Sequence, residues 1–212
     1  MFKELKEREK LARQQLIVEV AEKLFHEEGY DSVTIRRVAE TIDVSPGTIY
    51  TYFKSKEELV VCVLIHNMKL LEEKIAKSLK IDDPIKALVA IANDYKAYYS
   101  RFGRYANVMD LLITDENGYA LVSKELLNEL GAVVERILDG IAERMNRDET
   151  SKKILKGIPP KRVAAAMWAV AQGISYISLP LSPRPDRGWF DFDQVLSDVM
   201  HLLLTDTTAK PK

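Results

Sequence analysis

Between residues 34 and 59 the alternation of apolar and polar positions changes twice, and each change marks the end of one helix and the start of another. Ile35, Val38, Ala39 and Ile42 recur at i, i+3, i+4 and i+7, the spacing of one helical face, while Arg36, Arg37, Glu40 and Thr41 fall on the opposite side. Thr34 stands where its hydroxyl can cap this helix. The rhythm stops at Asp43, a residue able to take the left-handed backbone that a tight turn needs. Ser45 followed by Pro46 restarts it, because the hydroxyl can accept a free backbone N–H and proline suits the first helical position. In this second short helix Ile49 and Phe53 share the inner face. Gly47, Thr48, Tyr50, Thr51 and Tyr52 are left toward the N-terminus or the outside, a concentration of hydroxyls and phenols suited to phosphates and base edges. Ser55, Lys56, Glu57 and Glu58 form a Ser-x-x-Glu capping box that launches the next helix.

The same reading extends along the chain. Leu16, Ile17, Val20, Ala21, Leu24 and Phe25 predict a first helix over residues 3–28, with Gly29 as a left-handed stop and a charged, solvated N-terminal arm. An apolar-rich helix is expected over 59–79. Asp82, Asp83 and Pro84 end it and cap another, whose stripe is Ile85, Leu88, Val89, Ala92 and Tyr95. Gly103 breaks that helix; a short one over 104–113, a turn at 114–118 and a long helix through Met145 follow. Residues 152–160 read as a loop, 160–179 as a helix, 181–188 as a proline-rich loop, and a last helix starts after Asp191 or Asp193 and runs to Leu204. The fold class is all-α: a three-helix helix-turn-helix domain over 1–55, then a bundle of about six helices over 56–212.

Residues 163–181 approach the length of a membrane span. Gln172, Gly173, Ser175, Ser178 and Pro180 interrupt the run, so it is better read as a buried or dimer-forming helix, and no membrane association is expected. Net charge is −1, and acids on the first helix offset its basic residues. Local charge is what phosphates meet, and Arg36, Arg37, Lys54 and Lys56 gather around the two short helices. Arg8, Lys10 and Arg13 on the arm fit either a nucleic-acid contact or ordinary soluble surface. The single Cys62 excludes an intrachain disulfide and reads as a small buried hydrophobe; with no signal peptide in view, the expectation is a cytoplasmic protein. His26, His66 and His201 have no second ligand at metal spacing, no phosphate-cradling glycine pattern or Gly-x-Ser-x-Gly elbow is present, and Asp115 to Gly118 lacks the remaining ligands of a calcium loop. No metal, no cofactor and no enzymatic activity are expected.

Gly29-Tyr30, Thr34 through Ala39, Val44 through Tyr50 and Tyr52 through Leu59 together resemble the N-terminal domain of TetR-family (tetracycline-repressor-like) transcription regulators. The resemblance covers roughly the first quarter of the chain, with several elements agreeing in order and separation. This chain departs from the pattern at Asp43, where relatives more often carry glycine, and at Pro46, where many carry a phosphate-contacting lysine. The resemblance implies a ligand-responsive regulator, a repressor binding a palindromic double-stranded DNA operator as a homodimer. It implies dimerisation through the last two long helices, here about 161–179 and 193–204. Phosphate contacts fall to Thr34, Ser45, Tyr50 and Lys56; approach to bases or their readout falls to Gly47, Thr48, Thr51 and Tyr52, with Arg36 and Pro46 completing the DNA-binding set.

A small-molecule effector needs a pocket. Tyr95, Tyr98, Tyr99, Phe102 and Tyr105, with Met109 close behind, are denser than a helical stripe needs. Trp168, Gln172 and Tyr176 would supply a second wall, the Gln172 amide seeking a partner in so apolar a helix. The plainer alternative is core and surface aromatics without a ligand. The hydrophobic walls favour a hydrophobic or amphipathic molecule. The rival function is an all-α small-molecule-binding or structural dimer without specific DNA recognition.

Overall fold

The computed structural model describes residues 1–29, 32–102, 121–147, 149–155, 157–181, 194–195 and 198–199. Every regular element among them is helical: α1 Phe2–Glu28, α2 Ile35–Thr41, α3 Pro46–Tyr50, α4 Lys56–Ser78, α5 Pro84–Phe102, α6 Lys124–Arg147, α7 Glu149–Leu155 and α8 Pro160–Leu181. The fold is all-α, with the helix-turn-helix at the N-terminal end. The chain divides into two compact units, one comprising Met1–Leu70 and Arg104–Val134, the other Leu71–Gly103 and Glu135–Lys212.

In the first unit α1 buries Ile17, Val18, Ala21, Leu24 and Phe25. The helix turns this stripe inward over its second half only. Leu16, expected on the stripe, is 50% exposed, and residues 1–13 are exposed throughout. Val33, Ile35, Val38, Ala39, Ile49 and Phe53 complete the small core, so each of the two short helices is held by a few side chains rather than by its length, which is too short for independent stability. Along α4, Leu59, Val60, Val61, Val63, Leu64, Ile65 and Met68 are all buried. Cys62 and His66 between them are half-buried, and Lys69, Leu70 and Glu73 are exposed further on, so most of the helix faces inward while one edge stays open.

Two backbone positions define the turns. Asp43 sits at φ 56°, the left-handed conformation expected where α2 gives way to α3. Gly29 has φ 81° and ψ 160°, so the α1 stop is an extended mirror-image conformation open essentially to glycine alone, and not the expected left-handed helical cap.

In the second unit α5 packs on α8. Ala87, Ile91, Tyr95 and Tyr99 of α5, Ile137, Leu138, Ile141, Ala142 and Met145 of α6, and Ala164, Ala171 and Ile174 of α8 are buried. Asp83 caps α5 as expected, its Oδ1 accepting from the N–H groups of Ile85 and Lys86, both at 2.9 Å. Arg136 grips Glu72 at 2.7 and 2.8 Å, and Arg144 donates to the carbonyls of Ile81 and Asp82. The expected loop at 152–160 begins too early. Residues 149–155 form α7 instead, with Ser151 and Leu155 buried and Lys152 paired to Glu149 at 2.7 Å. The predicted helices at 104–113 and beyond Asp193 lie largely outside the described residues.

Candidate functional site

Three hydroxyls build the helix-turn-helix. Thr34 Oγ1 accepts from the Arg37 N–H at 3.1 Å, Ser45 Oγ from the Thr48 N–H at 3.2 Å and Ser55 Oγ from the Glu58 N–H at 3.0 Å. Each satisfies a backbone donor that the first turn of a helix leaves open. Pro46 occupies the start of α3. With Ile49 fully buried, Pro46, Gly47, Tyr50 and Thr51 are exposed together on the outer side, and Thr48 and Tyr52 are half-buried at its edges. Tyr52 leans on Phe53, their ring centroids 6.5 Å apart. Thr34 and Arg36 are exposed and Lys56 is half-buried. The predicted DNA-binding residues therefore all reach the surface of one unit, at least in part.

The basic residues around them are less available than their number suggests. Arg36 Nε donates to Glu40 at 2.9 Å. Arg37 clasps Glu28 through Nε and Nη2, the shortest contact being 2.6 Å. Hydrogen bonds from Arg37, with their Coulomb attraction added, hold the Glu28 carboxyl below the usual carboxylate range. Arg37 thus ties the end of α1 to α2. Lys54 is exposed beside α3.

The joint following α3 was not legible in the sequence. Glu58, 5% exposed, returns a carboxylate oxygen to the Lys54 N–H at 2.8 Å, one residue upstream of the expected capping-box partner. Its other oxygen accepts from the Ser123 N–H at 3.2 Å, and Ser55 Oγ donates to the Leu121 carbonyl at 3.0 Å. The capping box therefore fastens the start of α4 to residues just before α6. A partner 65 positions away leaves no local sequence signal.

The second unit holds an apolar cavity of about 350 Å³. Its described lining comes from α4 (Ile75), α5 (Leu88, Ile91, Ala92, Tyr95), α6 (Ile141) and α8 (Val163, Met167, Trp168, Ala171 among others), with Arg162 the sole charged residue. Tyr95 meets Trp168 edge-on, with centroids 5.0 Å apart. Tyr98 and Tyr99 pack on the Tyr95 ring at 6.0 and 6.2 Å and stand behind it rather than among the described lining residues. Burial, with the neighbouring tyrosines adding to it, pushes the Tyr95 hydroxyl far above its ordinary range. Gln172 is exposed on α8, where water can satisfy its amide, and it is not among the described lining residues. The side chains of Phe102 and Tyr176, and the whole of Tyr105 and Met109, lie outside the described residues. Of the described lining residues, Tyr95 and Trp168 alone were expected; sequence reasoning missed the rest, Arg162 and the small and aliphatic side chains of α4, α5, α6 and α8 among them, and it placed Leu88 and Ala92 on a plain core stripe.

Residues 17–63 match the family described as bacterial regulatory proteins, tetR family. An uncharacterized HTH-type transcriptional regulator, YhgD of Bacillus subtilis (strain 168), is 38% identical over 91 residues, 41% of this chain and 48% of that protein. The alignment thus spans about half of that relative's length. The structure of FadR from Bacillus subtilis in complex with stearoyl-CoA superposes with a TM-score of 0.65 at 17% identity, covering 89% of this chain and 96% of that one. AibR in complex with isovaleryl coenzyme A and operator DNA gives 0.60 at 19% identity, covering 91% and 98%. At these identities the structural likeness is one of fold.

Proposed function

Through residues 17–63 the chain is a member of the tetR family of bacterial regulatory proteins, and from that premise we propose that it is a ligand-responsive transcriptional repressor. Residues 1–55 read a palindromic operator, and 56–212 bind an effector and form a homodimer, in the cytoplasm. The observation that carries the reading is the capped helix-turn-helix, whose α3 turns Gly47, Tyr50 and Thr51 outward beside Lys54. Two such helices must lie about 34–36 Å apart, one DNA turn or a multiple of it, to engage both half-sites. The apolar cavity supports an effector with a hydrophobic body, and Arg162 at its wall suits an anionic end. Acyl-CoA thioesters, bound by two proteins of the same fold, are the first compounds to try. An effector that prefers one subunit arrangement releases DNA by differential affinity.

The test is selection of genomic DNA fragments by the purified protein, then titration of the winner across salt concentrations. A repressor of this kind enriches a palindrome, and its log affinity falls linearly with log salt. Tyr50→Ala combined with Lys56→Ala should weaken that binding while helicity and assembly stay unchanged. Trp168→Ala should shift the acyl-CoA concentration that releases DNA and leave affinity for the free operator alone. The pairing of Arg36 and Arg37 with carboxylates favours the rival, an all-α ligand-binding dimer without specific DNA recognition. Absence of any enriched sequence would select it.

A further inference from the structure

The outer face of α3 carries none of the groups that read bases by forked or charged hydrogen bonds. From Val44 to Phe53 the chain contains no Arg, Lys, Asn, Gln, His, Asp or Glu. In the major groove guanine is read chiefly by Arg or Lys, adenine by Asn or Gln, and cytosine by an acidic side chain. None of these is available from α3 itself.

The two threonines have little donor capacity left to fill the gap. Thr51 Oγ1 donates its proton to the Thr48 carbonyl at 2.7 Å, and Thr48 Oγ1 is engaged with Ser45 Oγ at 3.0 Å. A hydroxyl whose proton is held by the backbone cannot donate to guanine N7 or O6. Apart from the phenol hydroxyls of Tyr50 and Tyr52, what the face still offers is apolar: the methyl of Thr51, the Pro46 ring and the Tyr50 ring, around a glycine. The apolar counterpart on a base edge is the thymine C5-methyl group.

We propose, building on the regulator reading above, that this chain selects its DNA largely through thymine methyl groups, with Thr51 and Pro46 as the contacting residues and Gly47 as the opening that lets the duplex approach. Gly47 gives an independent probe. A Cβ there would meet only Ser45 Oγ, at an ordinary 3.6 Å, so the protein tolerates alanine and any loss of binding reports the nearness of DNA.

The experiment takes the full-length protein and the duplex it enriches from a random-sequence library, resynthesised with deoxyuridine replacing thymidine one position at a time. Removing a buried methyl from the interface should weaken binding about fourfold at each contacted thymine. Thr51→Ser, which keeps the hydroxyl and deletes the methyl, should bind thymine and uracil duplexes equally at one of those positions, and Gly47→Ala should weaken binding to all of them. Uracil duplexes that bind as tightly as the thymine duplex at every position overturn the proposal, as does a penalty confined to 7-deazaguanine substitution. A library in which nothing is enriched overturns the regulator reading itself, a distinct failure.

Discussion

Hydroxyls at 34, 45 and 55 cap three successive helices, each reaching the backbone N–H three residues on. Ser45 carries the most, because its oxygen also engages Thr48 Oγ1 and α3 is only five residues long. Ser45→Ala should lower stability by about 1 kcal/mol, read as a shift in the urea midpoint without a change of slope. Glu28 contributes at the same scale. Its folded-state acidity is strengthened by Arg37, so its stabilisation is present above the ordinary carboxylate range and disappears as pH falls through the depressed value. The urea midpoints of wild type and Glu28→Gln should therefore differ at neutral pH and converge in acid; a gap that widened on acidification would contradict the assignment. Cys62 is a third case. Burial, with Glu129 and Glu58 adding to it, pushes the thiol up to about 12, so alkylation at mildly basic pH should be slow in the folded protein and fast once it is unfolded.

At the scale of elements, the joint between α3 and α4 depends on one side chain. Glu58 satisfies the N–H groups of both Lys54 and Ser123 from a buried position. Glu58→Ala would leave two backbone donors without their charged acceptor, a loss of roughly 1.5–3 kcal/mol. Hydrogen exchange at those two amides, which flank α4 and α6, should accelerate more than within α4, where Leu59 to Ile65 stay packed. Equal acceleration along the whole helix would mean that Glu58 acts only through global stability. Helix α4 begins at this joint and, further along, supplies Ile75 to the lining of the cavity.

At the scale of the whole molecule, the proposed dimer makes a demand on α8. Ala165, Ala169 and Gly173 are exposed along one side of it and are not among the described lining residues of the cavity; they are small enough for a second helix to approach closely. Ala169→Glu, which places a charge there without touching the buried Ala164, Ala171 and Ile174, should shift the protein from dimer to monomer in sedimentation. It should also abolish high affinity for the palindrome while single half-sites are still bound weakly. A dimer that persists would move the interface elsewhere on the chain.

The sequence by itself determined what is encoded within a few residues. The caps at Thr34, Ser45 and Ser55, the left-handed Asp43, the proline start of α3 and the apolar spacing of α1 and α2 are local choices of backbone and side chain, and all could be read from neighbouring positions. Tertiary structure decided whatever depends on distant partners. It recruited Glu58 to Ser123, committed Arg37 to Glu28 rather than leaving it for phosphates, and folded residues 149–155 into α7 by burying Ser151 and Leu155. It also set Gly29 in an extended mirror-image conformation, and left Gln172 exposed while Tyr95 and Trp168 came together at a cavity. The division follows from range: a capping bond closes over three residues and leaves its signature beside it, whereas a cavity exists only where helices far apart in sequence pack imperfectly against one another.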